Sequence, residues 1–224
     1  MISVIIPTLN EEDTIAGCIA SVRAEEASAE IIVVDGGSRD GTAEAAAVFP
    51  GVRIIRSEKG RGNQMNAGAS SAGGDVLLFL HADTILEQGW KDALSSALET
   101  EAAVGGAFTF SIGNPAWKYR LVEAWVAMRC LIFRLPYGDQ AIFMTKDAFR
   151  RLGGYEDIPL MEDVDLVRRM KKLGGLVMLR KRAVTSGRRW TSRGLVRTAA
   201  INQLTMLLYL LGVSPQRLAR LYYR

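Results

Sequence analysis

Four short apolar runs, at residues 3–7, 30–35, 52–56 and 75–80, alternate with helix-patterned stretches at 11–23, 42–48 and 63–71. Runs this short and β-branched, bounded by Pro, Gly and Asp, read as strands buried on both faces. Strand–helix alternation at this spacing predicts a Rossmann-like α/β fold, a mostly parallel sheet flanked by helices. Such sheets bind ligands beyond the carboxyl ends of their strands. The polar clusters of this half each follow a strand: Thr8-Leu9-Asn10-Glu11, Asp35-Gly36-Gly37-Ser38 and His81-Ala82-Asp83. Asn10 is expected to cap the first helix, with Glu11, Glu12 and Asp13 in the turn where the helix dipole favours acids.

The second half is less regular. A long helix is expected over 114–133, with Trp117, Leu121, Trp125, Met128 and Ile132 at helical spacing, then a strand at 140–145, a helix at 162–173 and a strand at 176–179. An apolar helix over 194–211 and a basic-aromatic helix from Pro215 close the chain. No linker composition separates the halves. The 224 residues therefore read as one unit, with lobes at 1–112 and 113–190 and a C-terminal helical tail at 191–224.

Charge divides the chain more sharply than hydrophobicity. Residues 1–112 hold 7 Lys/Arg against 16 Asp/Glu, residues 113–224 hold 21 against 8, and no acid follows Asp165. A basic half facing an anionic partner is one reading, a solubilising surface the other. Nucleic acid is disfavoured, because no stacking or helix-turn-helix motif accompanies the charge. Two cysteines without metal-ligand spacing argue against a disulfide scaffold or a zinc site. The apolar run at 2–6 is too short for a signal peptide and lacks a basic lead, so a cytoplasmic location is expected.

Several residues have the chemistry of a nucleotide site. Asp83 ends the most hydrophobic strand, where a carboxylate can hold Mg²⁺ or Mn²⁺; an acidic cap on a following helix is the alternative. Asp35 before two glycines can accept from a base or a ribose, or simply close a turn. Lys59-Gly60-Arg61-Gly62-Asn63-Gln64 is a basic, glycine-rich loop at a helix start, suited to phosphate. It is neither a P-loop nor a GxGxxG fingerprint, which disfavours nicotinamide and flavin chemistry. Glu162, Asp163 and Asp165 open a helix, where the dipole alone would place acids and where a general base could also stand. Ser186-Gly187-Arg188-Arg189-Trp190 sets two arginines, good phosphate ligands, beside a tryptophan.

In this order and spacing, the motifs resemble glycosyltransferase family two, the inverting nucleotide-sugar transferases of the A-type fold. The resemblance rests on Val4-Ile5-Ile6-Pro7-Thr8-Leu9-Asn10-Glu11-Glu12, the run from Val33 to Thr42, Gly60-Arg61-Gly62-Asn63-Gln64-Met65-Asn66, His81-Ala82-Asp83 and Glu162-Asp163. Arg61-Gly62-Asn63-Gln64 with Arg188-Arg189-Trp190 is also similar to a small bacterial branch named for its association with radical-SAM and selenium-related genes. The resemblance implies that Pro7, Thr8 and Glu11 border the nucleoside and that Asp35 contacts the base. Arg61 and Gln64 would lie near the ribose-diphosphate, with Ala82, Arg188, Arg189 and Trp190 also lining the donor site. Asp83 would ligate the metal, and Asp163 would be the general base with Glu162 beside it. Two departures stand out: the DxD triplet keeps one acid, and the QxxRW motif of processive synthases is reduced to Arg-Trp.

The implied reaction is metal-dependent transfer of one sugar, with inversion, from a UDP- or GDP-linked donor to an acceptor hydroxyl. A sugar-nucleotide pyrophosphorylase would want a basic glycine loop where Thr8-Leu9-Asn10-Glu11 stands. A non-catalytic nucleotide-sugar or membrane-binding module is the remaining rival. Residues 204–211 are apolar but too short to span a bilayer. Arg189, Arg193 and Arg197 precede them, and Arg217, Arg220, Tyr222, Tyr223 and Arg224 follow. That pattern suits peripheral contact with an anionic membrane and a lipid-linked acceptor, or a helix packed internally or in a homodimer.

Overall fold

The computed structural model describes residues 1–100, 103–192 and 194–222. Strands β1 (Ile2–Thr8), β2 (Glu30–Asp35), β3 (Val52–Arg56) and β4 (Val76–Phe79) alternate with α1 (Glu12–Arg23), α2 (Thr42–Ala47) and α3 (Arg61–Ser71). After β4 come β5 (Thr84–Leu86), α4 (Trp90–Leu98), β6 (Ala103–Ile112), α5 (Trp117–Phe133), β7 (Ile142–Thr145), α6 (Lys146–Leu152), α7 (Glu162–Leu173) and β8 (Gly175–Thr185). The chain continues through α8 (Arg188–Ser192), α9 (Leu195–Leu210) and α10 (Pro215–Tyr222).

The eight strands form one sheet in the order β3-β2-β1-β4-β7-β6-β8-β5. β1 to β4 are mutually parallel, and β6 is parallel to β8, while β7 runs against β4 and β6, and β5 against β8. The sheet is thus mostly parallel, with β7 a reversed strand at its centre. Strands from both halves of the chain share it.

Alternation along the buried strands explains the layers. Val4, Ile6, Ile31, Val33 and Leu78 face a core with Ile15, Cys18 and Ile19 of α1 and Trp90 and Leu94 of α4. Ile5, Ile32, Val34, Leu77 and Phe79 face the opposite core with Met65 of α3 and Leu166, Val167 and Met170 of α7. Gly68 lets α3 sit close to the sheet: a Cβ there would lie 2.4 Å from Ile5 Cγ2. Phe110, Ile112, Tyr119, Val126, Cys130 and Trp190 make a third cluster where α5 and α8 meet the end of β6.

Three expectations need correction. Asn10 does not cap α1; it takes a left-handed conformation, and its Oδ1 accepts from the Arg39 backbone N–H, fastening the loop after β2 to the loop after β1. Arg61 and Gly62 belong to the first turn of α3, which starts two residues earlier than its apolar pattern indicates. The long helix α5 starts at Trp117 rather than at 114, and its regularly spaced apolar residues lie on its outer face. Trp117, Leu121, Trp125, Met128 and Ile132 are exposed, while Tyr119, Val126, Arg129 and Cys130 point inward.

Candidate active site

The end of β1, the segment after β4 and the start of α3 line a cleft of about 680 Å³, to which Asp35 at the end of β2 does not contribute. Its lining comes from Pro7, Thr8 and Glu11 at and just after the end of β1, Gly60, Arg61 and Gln64 at the start of α3, His81, Ala82 and Asp83 after β4, and Asp157 and Pro159 before α7. Gln64 is only 3% exposed, and its amide donates to the carbonyls of Thr8 and Val34, 2.8 Å each. Both amide hydrogens thus hold β1 and β2 together, and its carbonyl oxygen is what remains for a ligand. Asp35 is buried and accepts from the Ser38 backbone N–H at 2.9 Å, so one carboxylate oxygen closes its own turn.

Beside the cleft lies a smaller cavity of about 110 Å³, which Arg61, His81 and Asp83 also line. Its other walls come from Tyr137 and Asp139 after α5, Asp163 on α7, Thr185 and Ser186 at the end of β8, and Trp190, Asn202 and Tyr222 in the C-terminal helices. Pairing of β5 with β8 brings these segments together: Thr84 lies opposite Thr185, and the Ser186 N–H donates to the Asp83 carbonyl at 2.9 Å. β5 follows His81-Ala82-Asp83 directly, so Asp83 is not a helix cap.

The two acids at the start of α7 face different neighbours. Glu162 is 2% exposed and its Oε1 meets Arg61 Nε at 2.7 Å. Burial raises its carboxyl above the ordinary carboxylate range, Arg61 opposes that shift, and Asp163 adds to it. Asp163 points into the smaller cavity, with Oδ2 accepting from Gly138 N–H at 2.6 Å and Oδ1 from Val164 N–H at 2.7 Å. Gly138 makes this possible: a Cβ there would stand 3.1 Å from His81 Nε2 and 3.2 Å from Asp163 Oδ2. Burial pushes the nearby Tyr137 hydroxyl up to about 12, so it stays protonated across the physiological range.

The arginine-tryptophan motif divides. The Arg188 guanidinium pairs with the Glu11 carboxylate across the mouth of the site. Trp190 is buried in the third hydrophobic cluster and lines the smaller cavity rather than the larger cleft. The side chain of Arg189 lies outside the described residues, as do Arg193, Tyr223 and Arg224. Tyr222, grouped with the membrane-facing tail by its sequence, instead lines the cavity and donates to Asn202 Oδ1 at 3.1 Å. Sequence reasoning missed Tyr137, Asp139 and Asn202. The polar Gly138-Asp139-Gln140 between two apolar runs was a usable signal for the first two; nothing local marks Asn202.

The strands that carry Thr8 and Asp83 into the larger cleft lie in a stretch of sequence that a family model matches. The model for "Glycosyl transferase family 2" aligns with residues 3–152. The chain belongs to this family. A "PGL/p-HBAD biosynthesis glycosyltransferase" of Mycobacterium bovis (strain BCG / Pasteur 1173P2) is 32% identical over 162 residues, covering 69% of this chain and 63% of the relative. "Glycosyltransferase AglE" of Haloferax volcanii is 32% identical over 124 residues, 50% of this chain and 41% of that protein. This family member thus spans less than two thirds of the length of these relatives. Among solved structures, S. aureus TarS 1-349 in complex with UDP superposes with a TM-score of 0.62 at 18% identity, covering 83% of this chain and 61% of that one. The shared fold is that of A-type glycosyltransferases.

Proposed function

We propose that the chain transfers one sugar, with inversion, from a UDP- or GDP-linked donor to an acceptor hydroxyl. The observation that carries this reading is the adjoining pair of cavities, with Asp83 and Arg61 in both and Asp163 in the smaller one only. Donor and acceptor would meet where the two join. The occurrence of TarS 1-349 in complexes with UDP and with UDP-GlcNAc supports a nucleotide-sugar donor.

Arg61, oriented by Glu162, would bind the donor's diphosphate, with the helix α3 N-terminus behind it. The acceptor oxygen attacks the anomeric carbon while its proton passes to the Asp163 carboxylate. The bond from that carbon to the diphosphate oxygen breaks on the opposite face, and the nucleoside diphosphate leaves with the electron pair. Two backbone N–H donors hold Asp163 in one orientation for this step. Glu162 serves better as the positioning partner of Arg61 than as a second base, because it is buried against that guanidinium.

Asp83 fits a divalent ion held by one carboxylate together with substrate phosphates, a common arrangement for Mg²⁺. Among the described residues no group of three or more His, Cys, Asp or Glu side chains forms a metal cage. Mg²⁺ or Mn²⁺ bound there would offset the charge of the leaving diphosphate.

Among the described residues no helix is long and apolar enough to cross a membrane. The exposed leucines of α9 beside a basic tail support peripheral contact with an anionic bilayer at its cytoplasmic face.

Thermal shift with UDP, GDP, CDP and dTDP, each with and without Mn²⁺, tests the donor reading. One nucleotide should raise the Tm, since a ligand at 100 times its Kd adds ~2.7 kcal/mol. Release of free sugar from the matching donor then separates an enzyme from a binding module. No shift with any nucleotide would remove the basis of the proposal.

A further inference from the structure

The catalytic cavity does not end at Tyr137, Asp139, Trp190 and Asn202. The same four residues also line a groove of about 190 Å³ that runs between α5 and α9. Leu121, Val122, Trp125 and Val126 form one wall of the groove, and Leu195 and Ala199 the other. A sugar acceptor carrying only hydroxyls has no use for such walls, whereas a hydrocarbon chain gains by leaving water along them. The donor cleft lies elsewhere, among Lys59, Gly60 and Pro159, so the groove is not a part of it.

A cation stands on the groove's wall beside the junction, where the acidic residue common to groove and cavity is Asp139. Arg129 is 8% exposed, lies over the Tyr137 ring at 3.5 Å from its centroid, and lines the groove. Its Nη2 donates to the neutral Gln140 Oε1, and its Nε has no hydrogen-bond partner among the described residues. A buried guanidinium N–H left unsatisfied is costly, and an anionic group is the partner that best relieves it. Lys118 adds a second positive group on the groove's wall. Outside, the α5 wall continues into an exposed apolar ridge: Trp117 is 74% and Leu131 81% exposed.

We infer that the acceptor is an amphiphile with an anionic head: its chain lies between α5 and α9, its charge lies near Arg129, and its hydroxyl enters the cavity of Asp163. The inference rests on the transferase reading, and it adds the class of acceptor. Chain binding needs neither donor nor turnover, so the two can fail separately.

Calorimetric titration of the full chain with butyl, octyl and dodecyl phosphate, each below its micellar concentration, tests it. Affinity should rise at least about tenfold from butyl to octyl, well below the ceiling set by complete burial of the added methylenes. Val122→Trp and Ala199→Phe fill the groove from opposite walls. Each should weaken octyl phosphate binding tenfold or more while UDP binding stays at the level of the unaltered chain, which also reports that the variant is folded. Affinity that ignores chain length would overturn the inference. So would unchanged octyl phosphate binding in both variants, because the chain would then be lying on the exposed ridge instead. Failure to bind UDP, with chain-length dependence intact, would count against the transferase reading alone.

Discussion

Asp163 and Glu162 are neighbours in sequence with opposite environments, and their variants should separate. Asp163→Asn keeps the shape and the neighbouring backbone donors but cannot take a proton. Turnover should fall by on the order of 10²–10⁴ with donor affinity unchanged, as steady-state kinetics beside UDP titration would reveal. Glu162→Gln should act instead through Arg61, raising the donor KM more than it lowers kcat. It has a pH signature as well. Because burial raises the Glu162 carboxyl above its ordinary value of 4.5, the folded chain holds that proton more tightly than the unfolded one. Its contribution to stability therefore declines as pH climbs from that value to the raised one, then levels off. Urea unfolding across the acidic range should show this slope in the unaltered chain and its loss in Glu162→Gln. Asp83→Ala should abolish any response of the Tm to Mn²⁺ in the presence of nucleotide while leaving the metal-free Tm within a degree or two; a persistent Mn²⁺ response would remove Asp83 as ligand.

Among the elements, α3 is the one whose seating shapes the larger cleft, since its first turn carries Arg61 and its next turn Gln64. Gly68→Ala would press a methyl against Ile5 Cγ2 at 2.4 Å and Val34 Cγ2 at 3.0 Å. Overpacking of this kind costs about 1–3 kcal/mol, and the urea midpoint should fall accordingly. Lifting α3 should also weaken UDP binding, a joint effect absent from an exposed control such as Ala47→Ser. The parallel strands β1, β2 and β4 were legible from their apolar runs because each is buried on both faces, while β3, at the sheet's edge and only partly buried, was legible from its three β-branched apolar residues. β8 was legible only as far as residue 179, since Arg180, Lys181 and Arg182 interrupt the apolar pattern where one face of the strand turns outward. β6 left no comparable signal. Gly105 and Gly106 dilute its strand propensity, and they are needed because a Cβ on Gly106 would lie 2.0 Å from the Val177 carbonyl. The exposed face of α5 was not legible for a plainer reason: helical periodicity of large apolar residues reports that a face exists, not what covers it. Of the candidate site, the residues at strand ends were readable from their position alone. Tyr137, Asn202 and Tyr222 reach the cavity through tertiary packing, which no local pattern records.

Over the whole molecule, charge and exposed apolar surface fall on the same half. Leu204, Leu207, Leu210 and Leu211 are exposed on and just after α9, and the residues beyond Asp165 are basic without exception among the charged ones. Co-sedimentation should therefore show binding to phosphatidylglycerol vesicles at low salt, release at high salt, and little binding to phosphatidylcholine. Equal binding to both lipids would leave the basic surface without a role in it. The sheet order has a further consequence, for synthesis on the ribosome. β5 can pair only with β8, and the backbone bond from Ser186 to Asp83 spans about a hundred residues. At ~5–20 residues per second, the strand beside Asp83 must wait roughly 5–20 seconds for its neighbour to be made. A nascent chain halted before β8 would already hold β1 to β4 yet lack the wall that fixes Asp83, so the two cavities are completed late and all at once.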